Sequence, residues 1–380
     1  KIERSESLKM ERKGCTVKKK AAIGDWAAGC SAFSWETEDQ RHLWGRNFDF
    51  NRIADGSNVT YIPRGRDFYT FGTELEDSLD RDTRQTTDYA AVGVGVLLFP
   101  STPVLYEGIN EKGLMGGQLY YREFACFPQE KEDGRLPLQP PFAVTYFLTK
   151  CAAVQEVIER LQEVTLVGQP LLGTVPTIHW TFSDQTGETI IIEPDQDGVH
   201  VYRDTGGVMT NSPGYPWHRL NLLNYVHIRD LDYDERKLGG ISLNQCFSGS
   251  GALGLPGDWS SPSRFVRLSC LKHYAVKGKT EKEGVAYMFR LFQSVAFPYG
   301  MVKVTENGVL TEYDREVTPY DYTVYTSVMC AESLRFYWTT YRNSRIRYVD
   351  LRTLLSQDSC LQFELNKEED FLCLTAQGEY

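Results

Sequence analysis

The chain has 380 residues and a mass of 43.4 kDa, which is enough to bury a large core within one domain. Its formal net charge of -10 and its pI near 5.3 argue against nucleic acid and anionic membranes as partners, because both are bound by basic surfaces. The sequence has no apolar run as long as a membrane-spanning helix. We therefore expect neither a nucleic-acid nor a membrane partner.

The cysteines indicate a reducing compartment. They number nine, are widely scattered, and form neither a CxxC pair nor a Cys/His cluster with zinc spacing. This pattern predicts reduced thiols and a cytoplasmic protein.

Residues 1–29 differ from the rest of the chain. They are highly charged, include Lys18-Lys19-Lys20, and lack both apolar periodicity and the apolar core of a signal peptide. We interpret them as a removable leader or a disordered extension. An expression artefact, or initiation at Met10, is an open alternative. Residues 30–380 are expected to form a single catalytic domain.

The first structured segment is predicted to be a β-hairpin. Residues 31–35 and 43–50 are aromatic-rich runs, and the acidic residues 36–40 between them favour a turn. Such a hairpin can bring Arg46 and Asp49 beside Cys30. A nearby cation lowers the pKa of a thiol and so favours the nucleophilic thiolate. Taken alone, this pattern favours a small buried Cys30, with Arg46 and Asp49 as an ordinary surface pair.

Strands and helices follow in mixed runs. Helical periodicity is clear at residues 154–161, and residues 140 onward, 217–225, 265–271 and 285–292 also have helical character. Residues 64–89 are predicted to form a long surface connection, and the tail after Leu365 is predicted to be helical or frayed. The strands are expected at residues 58–63, 90–98, 104–108, 114–121, 177–184, 189–193, 199–204, 208–211, 322–329, 336–341 and 346–351. Strand meanders without strict strand-helix alternation favour a layered α+β fold with antiparallel sheets.

Five separated motifs carry a family resemblance across residues 30–365. They are Cys30; Arg46-Asn47 with Asp49; Asn110-Glu111-Lys112-Gly113-Leu114-Met115-Gly116 with Tyr120; Thr210-Asn211-Ser212-Pro213-Gly214-Tyr215; and Gly254-Leu255-Pro256-Gly257-Asp258 with Ser263-Arg264-Phe265. In this order they resemble the choloylglycine hydrolase family of N-terminal nucleophile hydrolases, which includes penicillin V acylases and bile salt hydrolases.

The resemblance implies an αββα sandwich, in which helices cover two stacked antiparallel sheets. It also implies that the leader is removed, so that Cys30 becomes the first residue. A free α-amino group has a pKa of about 7.7–8.0, so it can accept the thiol proton at neutral pH. The resemblance implies no metal or organic cofactor, and it suggests a homotetramer.

The resemblance also assigns roles to individual residues. Cys30 would attack an amide carbonyl, Arg46 would favour the thiolate, and Asp49 would orient the α-amine. The side chain of Asn211 and the backbone N–H of Tyr120 would form an oxyanion hole. Arg264 would complete the polar network beside the nucleophile.

Three of these residues have structural alternatives. Asn211 could form an Asx turn before Ser212-Pro213. Arg264 could lie on a helix surface, and Tyr120 could be a packed strand aromatic.

The substrate is expected to be a small-molecule amide. Tyr120 is similar to the residue of penicillin V acylases, and an aromatic wall suits a phenoxyacetyl group. We therefore predict a penicillin V acylase-like amidase. Residues 258–264 are closer to bile salt hydrolases, which are the alternative, and acyl homoserine lactones are a third possibility. An unprocessed, catalytically silent binding protein is the alternative of another class.

Overall fold

The computed structural model describes residues 29–72, 81–99, 102–171, 174–304, 317–365 and 368–376. The predicted leader, apart from Gly29, lies outside these residues.

β-Structure dominates the described part of the chain. In chain order the strands are β1 (Gly29–Glu36), β2 (His42–Phe50), β3 (Asn58–Ile62), β4 (Asp67–Tyr69), β5 (Arg84–Thr86), β6 (Ala91–Phe99), β7 (Thr102–Leu105), β8 (Glu107–Asn110), β9 (Met115–Tyr120), β10 (Leu136–Leu138), β11 (Val164–Leu166), β12 (Ile178–Ser183), β13 (Thr189–Asp195), β14 (Gly198–Tyr202), β15 (Val208–Met209), β16 (Arg236–Leu238), β17 (Ile241–Leu243), β18 (Val302–Lys303), β19 (Tyr320–Cys330), β20 (Arg335–Thr340), β21 (Arg347–Asp350) and β22 (Leu361–Phe363).

The helices are short. They are α1 (Ala143–Lys150), α2 (Val154–Leu161), α3 (Tyr215–Asn221), α4 (Ser261–Tyr274) and α5 (Glu281–Gln293). Pro140 and Pro141 begin a 3₁₀ turn that leads into α1, as suits a residue type that is tolerated in a first helical turn.

Two large antiparallel sheets form the body of the protein. One is seven-stranded in the order β15-β1-β2-β19-β20-β21, with β18 beside β19. The other is nine-stranded in the order β14-β13-β12-β9-β8-β6-β3-β22, with β7 beside β6. The sheets meet face to face at β2 and β9, where a Cβ built on Gly117 would lie 3.0 Å from the ring of Trp44.

Helices cover both outer faces. Alternate residues of a strand point to opposite faces, so in β13 Ile191 packs between the sheets while Ile190 and Ile192 point outward. The outward residues pack with Phe147 of α1 and Val157 of α2. Helices α4 and α5 cover the seven-stranded sheet on its other side. The predicted αββα sandwich is thus confirmed.

Most of the predicted elements are present, including the first hairpin, but one prediction is wrong in part. Residues 64–89 are not merely a surface connection, because β4 and β5 pair there and Phe68 is fully buried in the core beside α1. The few aromatic residues of this otherwise polar segment show no clear alternation, so the sequence did not reveal the strands. In the described part of the tail, the regular element is a short 3₁₀ turn at Leu374–Ala376.

The prediction that the thiols are reduced does not hold for Cys126, which is disulfide-bonded. Spacing cannot reveal pairs that meet only in the folded chain. The seven free cysteines are Cys30, Cys151, Cys246, Cys270, Cys330, Cys360 and Cys373. Among the described residues, no helix is long and apolar enough to cross a membrane.

Candidate active site

The β1–β2 hairpin brings Arg46 to the sulfur of Cys30. Cys30 lies opposite Phe48 and Ala32 lies opposite Arg46, so Cys30 and Arg46 are diagonal neighbours on the same face of the sheet. Arg46 Nη2 donates to Cys30 Sγ across 3.2 Å. Both residues are about 2% exposed. The predicted pairing of the thiol with a cation is therefore present.

A buried carboxylate holds Arg46 from its other side. Arg46 Nη1 donates to Glu107 Oε2 at 2.7 Å, and Tyr325 Oη donates to the same oxygen at 2.9 Å. Glu107 is fully buried at the start of β8. We did not identify it from the sequence, although a lone charge between apolar residues 103–106 and 108–109 is itself a signal of a paired buried group.

Burial affects the pKa of the Cys30 thiol more than Arg46 does. Burial raises the pKa of the Cys30 thiol above its ordinary value, while the charge of Arg46 opposes that rise and the carboxyl of Asp49 adds to it. The expectation that Arg46 favours the thiolate is right in direction, but desolvation outweighs it. In this form of the chain the sulfur is a thiol and requires a base.

Asp49 keeps one carboxyl oxygen unsatisfied. It lies opposite Gly29 in the hairpin and is fully buried. Thr323 Oγ1 donates to Asp49 Oδ1 at 2.5 Å, whereas Oδ2 has no hydrogen-bond partner among the described residues. Burial raises the pKa of Asp49 to about 7, against the lowering effects of Arg264, Thr323 and Arg46. A buried oxygen of this kind is a ready acceptor for an added N–H group.

The side chain of Asn211 links Cys30 to two other parts of the fold. Its Oδ1 accepts from the backbone nitrogen of Cys30 at 2.8 Å and from Arg264 Nη2 at 2.7 Å. Its Nδ2 donates to the backbone oxygen of Tyr120 at 2.9 Å. These bonds join residues that are far apart in sequence, so the local Asx turn is not what this side chain forms.

Arg264 is a buried residue and not a helix-surface one. It lies in the first turn of α4 and is 2% exposed. Its Nη1 donates to the backbone oxygen of Cys30 at 2.5 Å and to Ser31 Oγ at 2.7 Å, and Nε donates to Trp259 O at 2.8 Å. Arg264 therefore fixes the backbone at Cys30.

The backbone nitrogen and oxygen of Asn211 are also held by hydrogen bonds. Ser261 Oγ accepts from Asn211 N at 2.9 Å, and both Ser261 Oγ and His218 Nε2 lie 2.8 Å from Asn211 O. Burial lowers the pKa of His218 to about 4, so a neutral ring donates to this oxygen. Neither Ser261 nor His218 was identified from the sequence.

Tyr120 serves both as a packed aromatic and as part of the site. Its ring contacts that of Phe50 with centroids 5.8 Å apart, and it also lines a cleft beside Asn211. The cleft has a volume of about 380 Å³, and Gly29 forms part of its wall. The other lining residues are Arg122, Ser212, Ser260, Ser261, Pro262, Arg264, Phe297, Val302, Val304 and Asp321. A larger cavity of about 550 Å³ near α2 is lined by none of the predicted site residues.

Within the described residues, one group, Asp195, Asp197 and His200, has the spacing to hold a metal ion. These side chains already have partners, since His200 pairs with Asp197 and Tyr121 Oη donates to Asp195. None of them lines the cleft beside Asn211.

The chain is similar to curated bacterial enzymes over most of its length. It is 32% identical over 324 residues to the bile salt hydrolase/transferase of Clostridium perfringens, covering 85% of this chain and 92% of that protein. The bile salt hydrolase/transferase of Lactiplantibacillus plantarum is 29% identical over the same shares of the two chains.

Solved structures show the same fold. A mutant form of the conjugated bile acid hydrolase from Clostridium perfringens matches with a TM-score of 0.78 and 30% identity, over 91% of this chain and 99% of that one. Penicillin V acylase from Agrobacterium tumefaciens matches with a TM-score of 0.64 and 21% identity, over 87% and 89% of the two chains. The family model for linear amide C–N hydrolases, choloylglycine hydrolase family, matches residues 30–361. The chain therefore belongs to the choloylglycine hydrolase family of linear amide C–N hydrolases.

Proposed function

We propose that this chain is an N-terminal cysteine amidase whose substrates are conjugated bile salts. The observation that carries the proposal is the convergence of Arg46, Asn211 and Arg264 on Cys30. The sulfur, the backbone nitrogen and the backbone oxygen of this one residue are each held by a different side chain. Such fixing is what a nucleophile needs and what a buried structural cysteine does not.

The proposed activation removes residues 1–29. Gly29 lines the cleft, so its departure opens a path from the cleft to Cys30. The new α-amino group replaces a peptide N–H that now points at Asn211 Oδ1. Its additional hydrogens supply donors near the unsatisfied Oδ2 of Asp49. This agrees with the predicted role of Asp49 in orienting the amine.

The proposed reaction uses the α-amine as the base. The α-amine accepts the thiol proton, and the sulfur bonds to the amide carbonyl carbon. The C–N bond breaks as the ammonium returns its proton to the departing amine, and water hydrolyses the resulting thioester. An amide nitrogen carries two hydrogens, so Asn211 Nδ2 can bind both Tyr120 O and the developing oxyanion. The backbone N–H of Tyr120 is the second proposed donor.

The substrate preference proposed here differs from the one that Tyr120 suggested. Relatives of about 30% identity are named bile salt hydrolases, whereas the penicillin V acylase is 21% identical and supports the fold alone. Tyr120 also packs on Phe50, so an aromatic residue at this position is explained without a phenoxyacetyl group. We therefore place bile salts ahead of penicillin V.

The test is a direct comparison of hydrolysis rates. Purified wild-type protein and Cys30→Ala are assayed with glycocholate, taurocholate and penicillin V at matched concentrations. We expect hydrolysis of the bile salts to dominate and to disappear in Cys30→Ala. A clear preference for penicillin V would overturn the substrate, and equal activity of the two proteins would overturn the enzyme.

The predicted homotetramer remains a proposal, supported by one surface feature. Strands β16 and β17 form an isolated two-stranded ribbon in which every residue is exposed, including Leu238, Ile241 and Leu243. Such a ribbon is marginally stable alone, so we propose that a second copy of the chain covers it. Light scattering on the wild type and on a Leu238→Ser/Ile241→Ser variant tests this.

A further inference from the structure

Asp321 is a buried carboxyl that the proposed reaction does not use. It lies near the start of β19, opposite Val302 of β18, and both residues line the cleft beside Asn211. Its side chain is 3% exposed, and Oδ1 has no hydrogen-bond partner among the described residues. A buried acceptor without a partner costs free energy unless a ligand or a proton satisfies it.

The charged groups around Asp321 come from three other elements. Arg264 of α4 and Arg122, which follows β9, line the same cleft, and Asp49 of β2 lies on the neighbouring strand. β18 contributes the apolar Val302 at this point. The two arginines favour an anion in the cleft. An ionised Asp321 would repel an anion bound there.

We propose that Asp321 is a specificity-determining residue whose carboxyl forms a hydrogen bond with the acidic group on the amine portion of the substrate, beside Arg122. This inference rests on the proposed amide hydrolysis. It applies to any amide whose amine portion carries a carboxylate or sulfonate. The unsatisfied Oδ1 and the two cationic neighbours are the observations that carry it.

The protonation of the site agrees with this role. Burial raises the pKa of Asp321 to about 8, the negative charge of Asp49 adds to the rise, and Arg264 and Arg122 oppose it. At neutral pH the carboxyl therefore keeps its proton and can act as a donor. As pH rises through this value, the ionised group repels an acidic substrate. A neutral amide with the same acyl group avoids that repulsion.

The test compares two substrates that differ in one charge. We measure kcat/KM from about pH 6 to about pH 10 for glycocholate and for its glycinamide analogue, which lacks the carboxylate. In Asp321→Asn an amide N–H replaces the carboxyl proton at every pH. We expect about fivefold higher kcat/KM for glycocholate at about pH 9.5 in this variant, with the analogue unchanged. Asp197→Asn removes an exposed charge elsewhere and is the matched control.

A binding measurement on wild-type protein makes the test independent of variant folding. An uncleavable ketomethylene analogue of glycocholate is titrated calorimetrically near pH 8 in two buffers of different ionisation enthalpy. Net proton uptake on binding supports the inference. Its absence, or an equal effect of Asp321→Asn on both substrates, overturns it. Binding with proton uptake but no hydrolysis of any amide would instead overturn the proposed function.

Discussion

The backbone nitrogen of Cys30 donates to the side-chain oxygen of Asn211 across 2.8 Å, although the residues are 181 positions apart. That bond places the proposed nucleophile, the nitrogen that would become the base, and a proposed oxyanion donor within one hydrogen-bonded unit. Arg264 Nη2 binds the same oxygen at 2.7 Å and ties the unit to α4.

Replacing Asn211 by Ala should lower kcat by roughly 10²- to 10³-fold, with a smaller change in KM, because the amide would act mainly on charge that develops in the transition state. Steady-state kinetics with glycocholate measure this. Asn224→Ala, at an exposed position whose side chain bonds only locally to Asn221, is the matched control. Equal losses in both variants would contradict the role.

Replacing Cys30 by Ser should leave residues 1–29 attached or strongly slow their removal, because a hydroxyl is a weaker nucleophile than a thiol. Intact-mass analysis reads the first residue directly. The wild-type mass should correspond to a chain that begins at Cys30. A wild-type protein that retains the leader and shows no hydrolysis would favour the silent binding protein.

Replacing Arg46 by Met should raise the pKa of the thiol by about one unit or more, because an opposite charge nearby favours the thiolate. The acidic limb of the pH–rate profile for hydrolysis then moves to higher pH. The pH dependence of Cys30 alkylation by iodoacetamide should shift by the same amount.

The same variant should lose about 3–5 kcal/mol of folding stability, because Glu107 remains buried without its cation. Adding Glu107→Gln should restore part of that stability without restoring the rate. Recovery of the rate as well would show that Arg46 is structural.

His218 should make the protein sensitive to mild acid. Its pKa is about 4 in the folded protein, and about 6.5 is usual when unfolded, so the unfolded chain binds the additional proton between these values. Stability is therefore fully present above about pH 6.5 and falls as pH decreases toward about 4, by about 3 kcal/mol. His218→Gln, which keeps an N–H donor for Asn211 O, should lack this component when urea denaturation is compared at the two pH values.

Gly45 should tolerate no side chain. A Cβ at this position would lie 2.6 Å from Ser327 O and 2.9 Å from the ring of Phe292, where α5 packs on the hairpin. Gly45→Ala should destabilise the fold by about 1–3 kcal/mol. Gly257→Ala, with no atom within 4 Å of the new Cβ, should change little in the same thermal melts.

Much of this protein follows from local sequence. Alternating aromatic runs around an acidic turn determine the β1–β2 hairpin, and its period of two places Arg46 beside Cys30. Apolar residues at positions i, i+3, i+4 and i+7 determine α2. The separated motifs indicate the family. The hairpin and helix patterns depend on residues close together in the sequence. The family motifs are recognised by their residue types and by their order along the chain.

The tertiary structure decided which distant groups complete the site and how they ionise. Glu107, Thr323 and Asp321 reach it from β8 and β19, and His218 and Ser261 clamp Asn211 from α3 and α4. Long-range strand pairing and the packing of helices on the sheet bring these residues together, and no local period encodes either. Burial also depends on the whole fold, and it raises the pKa of Cys30 despite Arg46 because desolvation penalises the charged form more than one cation favours it.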